Sequence, residues 1–105
     1  MTKTISIGMV MAAAFAPAHA LESLAGRVTL VETTYMPAVI QFQMDAGSGT
    51  CPAGSWLKWQ KADLANNKAT YAALVVAAAT GRRVTFLMND GDANCVGQFL
   101  YLLAD

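Results

Sequence analysis

The run from Asn66 to Thr80, NNKATYAALVVAAAT, is the feature that most constrains the fold of this chain. Its alanine and leucine content predicts a helix, since these residues have the highest helix propensities. Asn66 or Asn67 can serve as the N-cap, and Gly81 stands where a left-handed C-terminal cap is wanted. The predicted helix has almost no polar face, so the question is which residues cover its apolar surface.

Apolar spacing assigns one face of this helix to the core. That face consists of residues at i, i+3, i+4, i+7 and i+8, namely Tyr71, Leu74, Val75, Ala78 and Ala79. The second face is small and apolar and contains Ala72, Ala73, Val76 and Ala77. Two interpretations remain open, because alanine tolerates water while small side chains also allow helices of several copies to approach closely in a ring.

The first twenty residues are typical of a secretory signal peptide. Lys3 lies in a short polar start, an apolar stretch spans 5–15, and small residues end at Ala20. The stretch is short for a membrane span, which needs roughly 20 apolar residues, although an uncleaved anchor is the alternative. We therefore expect an exported protein, periplasmic or secreted, whose mature chain 21–105 is one domain without a membrane span.

Cys51 and Cys95 are the only cysteines, and in an exported chain such a pair predicts a disulfide. A domain of this size hides only about 60% of its unfolded surface. The chain-entropy model assigns such a bridge roughly 4 kcal/mol. No C-x-x-C motif is present and the only histidine, His19, lies in the signal peptide, so we expect neither a metal nor a cofactor.

Five segments have the alternation or β-branched content of strands: 26–36, 37–45, 55–61, 82–88 and 95–105. In the first, Val28, Leu30 or Val31 can face a core. With the helix, the element order is β-β-β-α-β-β. This order predicts a β-rich α+β fold, a compact five-stranded antiparallel sheet or partly open barrel with one helix across it.

Charge argues against a nucleic-acid partner. Without Lys3, six basic side chains face seven acidic ones, and they form no basic stripe that could neutralise phosphates. The adjacent Arg82 and Arg83 follow the helix cap and are typical of a solvated turn.

The run ATYAALVVAAATGRRVTFLM resembles the helix and following strand in binding subunits of subtilase cytotoxin and related pertussis-like toxins. The resemblance implies a small, exported, disulfide-bonded OB-fold domain that binds a partner and does not catalyse a reaction. It also implies a pentamer-like ring in which Ala72, Ala73, Val76 and Ala77 face other copies. It covers about a quarter of the mature chain.

The residues offer little for catalysis. Without a histidine in the mature chain there is no Ser-His or Cys-His pair, and the disulfide occupies both thiols. Asp90 and Asp92 lie close together, but their sequence, NDGDAN, is typical of a turn between strands. It resembles a calcium loop only weakly, because the later bidentate glutamate is missing. We therefore predict no enzyme.

Five residues are candidates for binding: Tyr35, Gln41, Gln43, Trp56 and Lys58. Trp56 and Trp59 lie three apart, so a strand puts them on opposite faces. We predict Trp59 in the core with Leu57, and Trp56 outside next to Lys58, where an indole can stack on a sugar or on a protein. Tyr35 lies in a hairpin loop. On the second strand, Gln41 and Gln43 line the polar face and can bind hydroxyl groups, although a solvated face explains them as well.

These observations predict a binding module for a glycan or a protein. The alternative is a periplasmic structural or accessory protein that acts through protein contacts alone.

Overall fold

Five strands and one helix make up the computed structural model, which describes residues 20–104. The strands are β1 (Leu21–Glu32), β2 (Ile40–Met44), β3 (Leu57–Trp59), β4 (Arg83–Asn89) and β5 (Gly97–Leu102), and helix α1 (Leu64–Thr80) lies between β3 and β4. The predicted element order is confirmed. The first strand begins at Leu21, five residues before the predicted start.

The strands form one antiparallel sheet in the order β3-β2-β1-β4-β5. The long β1 holds the sheet together, because 21–27 pairs with β4 and 28–32 pairs with β2. At the far ends of the order, β3 meets the approach to β5 in a single parallel bridge between Lys58 and Val96. The sheet therefore curls without closing.

β1 changes partner at a bulge. The pairing register shifts between Val28 and Leu30, so Thr29 is an extra residue in the strand. Val28 and Val31 consequently both face the core, whereas Leu30 lies opposite Gln43 on the outer face and is 42% exposed. The alternation of a regular strand could not decide among these three residues.

The core lies between the concave face of the sheet and α1. Its buried apolar members come from α1 and from every strand except β5, which contributes the partly buried Leu100: Leu24, Val28, Ile40, Phe42, Met44, Leu57, Trp59, Leu74, Ala77, Val84, Phe86 and Met88. Phe42 and Phe86 meet edge to face, with ring centroids 5.4 Å apart. Gly97 lies so close to this cluster that an added Cβ would be 2.5 Å from Phe86 Cε1 and 2.7 Å from Trp59 Cε3.

The predicted disulfide between Cys51 and Cys95 is present, with both residues buried and an S–S distance of 2.04 Å. It joins the β2–β3 loop to the turn before β5. Next to it, Lys58 N donates to Cys95 O at 2.9 Å. The bridge therefore fixes the point at which the two ends of the sheet approach each other.

The helix begins earlier than predicted. Asp63, not Asn66 or Asn67, is the N-cap, and its carboxylate accepts from the N–H groups of Ala65 and Asn66. The predicted C-terminal end is confirmed, since Gly81 has a φ of 74° and its N–H donates to Ala77 O. Asn67 is fully buried and has a different role from a cap.

Asn67 fixes the rotation of α1 over the sheet. Its amide nitrogen donates to Pro37 O and Lys61 O, both at 2.9 Å, and to Ala38 O at 3.3 Å, while its oxygen accepts from Lys61 N at 3.0 Å. These bonds join the helix to the β1–β2 turn and to the β3–α1 linker. The helix face that carries Asn67 must therefore point inward.

The packed face of the helix differs from the predicted one. Its buried residues are Asn67, Thr70, Leu74 and Ala77. Of the residues predicted to face the core, only Leu74 is fully buried, and Tyr71 is partly buried against the core. Val75, Ala78 and Ala79 are exposed, so their prediction as core residues is wrong. Two polar residues anchor the packed face, and a pattern based on apolar spacing overlooks them.

The opposite face of α1 is largely apolar and is not covered by any other part of residues 20–104. Ala72 and Val76 are exposed and Ala73 is half-buried, whereas Ala77, expected on this face, is completely buried against the sheet. Ala77 is therefore not available for contacts between copies. Val75 takes its place on the free face and is 40% exposed.

Candidate functional site

Three of the five candidate residues lie together on the outer face of β2 and β3. Gln41 pairs across the strands with Lys58 on one side and Glu32 on the other, while Gln43 pairs with Leu30. We call Gln41, Gln43 and Lys58 the polar face. All three are half-buried, so each presents part of its side chain to solvent.

The ammonium group of Lys58 is held in place from the side of the β4–β5 turn. Its Nζ donates to Asn94 O at 3.0 Å. Asp92 orders that turn, because its carboxylate accepts from Asn94 N and Val96 N. The turn interpretation of the NDGDAN segment agrees with these bonds. Across residues 20–104 no group of three acidic, histidine or cysteine residues could hold a metal ion.

The two aromatic candidates lie at opposite ends of β2. Trp56 immediately precedes β3 beside the end of β2 and is 41% exposed, while Leu57 and Trp59 are buried, as predicted. Tyr35, 58% exposed, lies in the turn before β2. The five residues of β2 separate these ends by roughly 14 Å at 3.4 Å per residue. Trp56 therefore adjoins the polar face near Gln43, and Tyr35 lies beyond its other end.

A groove opens where the sheet fails to close. It has a volume of about 360 Å³ and lies between the edge of β5 and the start of α1. Its lining comes from the end of β3, the linker, the first turns of the helix and β5: Trp59, Lys61, Asp63, Asn66, Thr70, Gln98, Phe99, Leu100 and Tyr101. None of the five candidate residues lines it.

The helix side of the groove is ordered by polar contacts. Trp59 Nε1 donates to Asn66 Oδ1 at 3.0 Å, and Lys61 Nζ lies 4.9 Å from the centroid of the Trp59 ring. On the strand side, Phe99 and Tyr101 are 49% and 52% exposed. Sequence reasoning missed this groove. The available signal was the pair of aromatic residues two apart in the last strand, which puts both on one face.

Near the start of β1, Glu22 joins the β2–β3 loop to the β4–β5 turn. Its carboxylate accepts from Gly91 N at 3.0 Å and from Thr50 Oγ1 at 2.9 Å. The Gly91 N–H, followed by the Ser48 hydroxyl and Thr50, lowers the pKa of Glu22 from 4.5 to about 2. This carboxylate therefore stabilises the loops beside the disulfide.

Comparison with protein-family models, curated proteins and solved structures finds no match. No helix within residues 20–104 is long and apolar enough to cross a membrane. The expected signal peptide, 1–20, lies outside the described residues except for Ala20. The fold and these surfaces define a small, β-rich, disulfide-bonded domain that carries the polar face on β2 and β3 and the groove beside β5.

Proposed function

We propose that this chain is an exported, non-catalytic binding module with an OB-like barrel, similar to the binding subunits of pertussis-like toxins, and that it recognises a glycan. The observation that carries this proposal is the polar face, where Gln41, Gln43 and Lys58 share one surface beside the exposed indole of Trp56. The strand order and the parallel Lys58–Val96 bridge support an OB-like topology. The disulfide supports an oxidising compartment.

The chemistry of the polar face suits sugars. Each glutamine amide offers two donors and an acceptor for hydroxyl groups. An indole offers a flat apolar face against which a sugar ring can stack, with an N–H at its rim. Because the amides stand on paired strands rather than on loops, their spacing is fixed before a ligand binds, and less ordering entropy is lost.

A glycan array probed with the oxidised protein tests this proposal. Gln41→Ala should weaken binding by about fivefold, equivalent to one neutral hydrogen bond of ~1 kcal/mol. Gln98→Ala is the matched control, because Gln98 is also a half-buried glutamine but lies on β5 in the groove, away from the polar face. Trp56→Ala should abolish binding, whereas Trp56→Phe should retain part of it through the flat ring. Equal binding by the wild type, Gln41→Ala and Trp56→Ala would refute the surface.

The uncovered helix face supports a ring of copies. Val75 and Val76 are 40% and 45% exposed, and the alanines around them would let helices approach closely. Light scattering coupled to size exclusion should give the mass of a pentamer, and Val76→Glu should reduce it to that of a monomer. Ala53→Glu, which adds the same charge at an exposed small residue of the β2–β3 loop, is the control. A wild-type monomer would exclude the ring and leave the glycan proposal standing.

A structural or accessory role through protein contacts is the second candidate. The observation that favours it is the exposure of Phe99 and Tyr101 on the outer face of β5, where large apolar surface is a common mark of protein interaction. This role would need neither the polar face nor a small ligand. This role is tested by measuring whether polypeptides bind along β5.

A further inference from the structure

One edge of β5 has no strand beside it. β5 is the last strand in the sheet order and pairs with β4 alone. The parallel bridge to β3 involves Val96, before β5 begins. The hydrogen bonds that define this bridge extend no further than Gly97, and among residues 20–104 no strand pairs with the second edge of β5 from Gln98 to Leu102. This edge therefore presents unpaired N–H and C=O groups.

The hydrogen-bond pattern identifies which groups these are. Leu103 N donates to Arg83 O, which continues the antiparallel register of β4 and β5. Directly opposed antiparallel residues alternate between bonded and non-bonded pairs. Tyr101 and Phe99 therefore bond to β4, and the N–H and C=O groups of Leu100 and Leu102 point outward. Two such residues offer a donor and an acceptor every ~6.8 Å.

The groove runs along this edge and not across a face of the sheet. Alternate side chains of a strand point to opposite faces, yet four consecutive residues, Gln98–Tyr101, line the same groove. That is possible only where the cavity follows the edge itself. On its far side the groove is bounded by Trp59, Lys61 and Asp63.

The edge lacks the usual protection against pairing. Natural edge strands are blocked by charged residues or proline, or by a segment that covers them. The sequence of β5, GQFLYL, contains neither charge nor proline. At the same time Phe99 and Tyr101 stand exposed on the outer face next to the edge. An unprotected edge beside exposed aromatic rings suits a partner strand.

We propose that the open edge of β5 binds an extended segment of another polypeptide by strand addition. The backbone of the segment pairs with Leu100 and Leu102, and apolar side chains at alternate positions of the segment contact Phe99 and Tyr101. This site is separate from the polar face and does not rest on glycan binding. It gives the second candidate function a defined location.

The probe for this site is a library of random dodecapeptides displayed on phage and selected against the oxidised protein. A selected peptide should slow amide hydrogen exchange at Leu100 and Leu102 by at least about tenfold, while Phe99 and Tyr101, already bonded to β4, change little. N-methylation of alternate peptide residues preserves the side chains and removes donors on one edge. One of the two alternate methylation patterns should abolish binding.

A pair of variants examines the protein side. Leu100→Pro removes an outward N–H without breaking a bond to β4 and should weaken peptide binding by about tenfold, whereas Leu100→Ala keeps the N–H and should weaken it less. If Leu100→Pro does not fold, binding of the methylated peptides to the wild-type protein tests whether backbone pairing at this edge is required.

Three results would overturn the proposal. They are the recovery of no binding peptide, equal binding by both methylated peptides, and self-association that protects Leu100 and Leu102 in the absence of peptide. Loss of glycan binding on Trp56→Ala would leave this site untouched.

Discussion

Replacing Asn67 should be among the most damaging single substitutions in the helix. The side chain is completely buried, and its two amide protons serve three carbonyl oxygens while its own oxygen accepts from Lys61 N. Asn67→Ala removes about three hydrogen bonds at ~1 kcal/mol each and leaves partly buried backbone groups without a partner. We expect a loss of about 3–5 kcal/mol, a large part of the 5–15 kcal/mol typical of a domain.

Thermal unfolding followed by circular dichroism measures this loss. For a domain of this size, 1 kcal/mol shifts Tm by roughly 4–8 °C, so Asn67→Ala should lower Tm by more than about 12 °C. Lys68→Ala, at the next and exposed position, should change the unfolding free energy by less than ~0.5 kcal/mol. If Asn67→Ala unfolds within a few degrees of Lys68→Ala, the bonds of Asn67 do not hold the helix, and the account of its rotation is wrong.

Three further substitutions have distinct expected effects. Gly97→Ala places a Cβ within 3 Å of two core rings and should destabilise by about 1–3 kcal/mol in urea titration, whereas Gly49→Ala, with open space around it, should not. Because the pKa of Glu22 is lowered to about 2, its carboxylate stabilises the folded state fully above pH 4.5 and loses this contribution as the pH falls towards 2. Between pH 4.5 and pH 2, Tm should therefore fall more steeply in the wild type than in Glu22→Gln. Parallel curves of Tm against pH would contradict this role. Replacing Cys51 and Cys95 together by alanine should cost roughly 4 kcal/mol in the same titration, and an unchanged midpoint would contradict the bridge's contribution.

The strands could be predicted because their patterns are local. In β2, Ile40, Phe42 and Met44 alternate with glutamines, which is the pattern of a half-buried strand, and all three are buried. Leu57 and Trp59 follow the same rule, which places Trp56 outside. The cap at Gly81 was equally readable, since a left-handed residue is most easily a glycine.

The rotation of the helix could not be predicted because its sequence is apolar on every side. With alanine and valine all round, apolar spacing favours no face strongly. The decision comes from Asn67 and Thr70, which are buried. Asn67 makes its bonds with the β1–β2 turn and with Lys61, and these partners become neighbours only in the folded chain.

The groove was missed for a related reason. It exists because β3 ends at Trp59 and the sheet stays open beside β5, which is a property of the whole sheet. By contrast, the polar face lies on neighbouring strands, and alternation along β2 correctly predicted that Gln41 and Gln43 share a face. Its link to Lys58 depends on the register between β2 and β3.

The most direct test of the proposed function is a nuclear magnetic resonance titration of the isotope-labelled, oxidised protein with the glycan that binds best on the array. We predict chemical-shift changes at the side-chain amides of Gln41 and Gln43, at Lys58 and at the indole N–H of Trp56, and unchanged chemical shifts at the backbone amides of Leu100 and Leu102. Shifts confined to the groove, or no shifts at millimolar glycan, would contradict it.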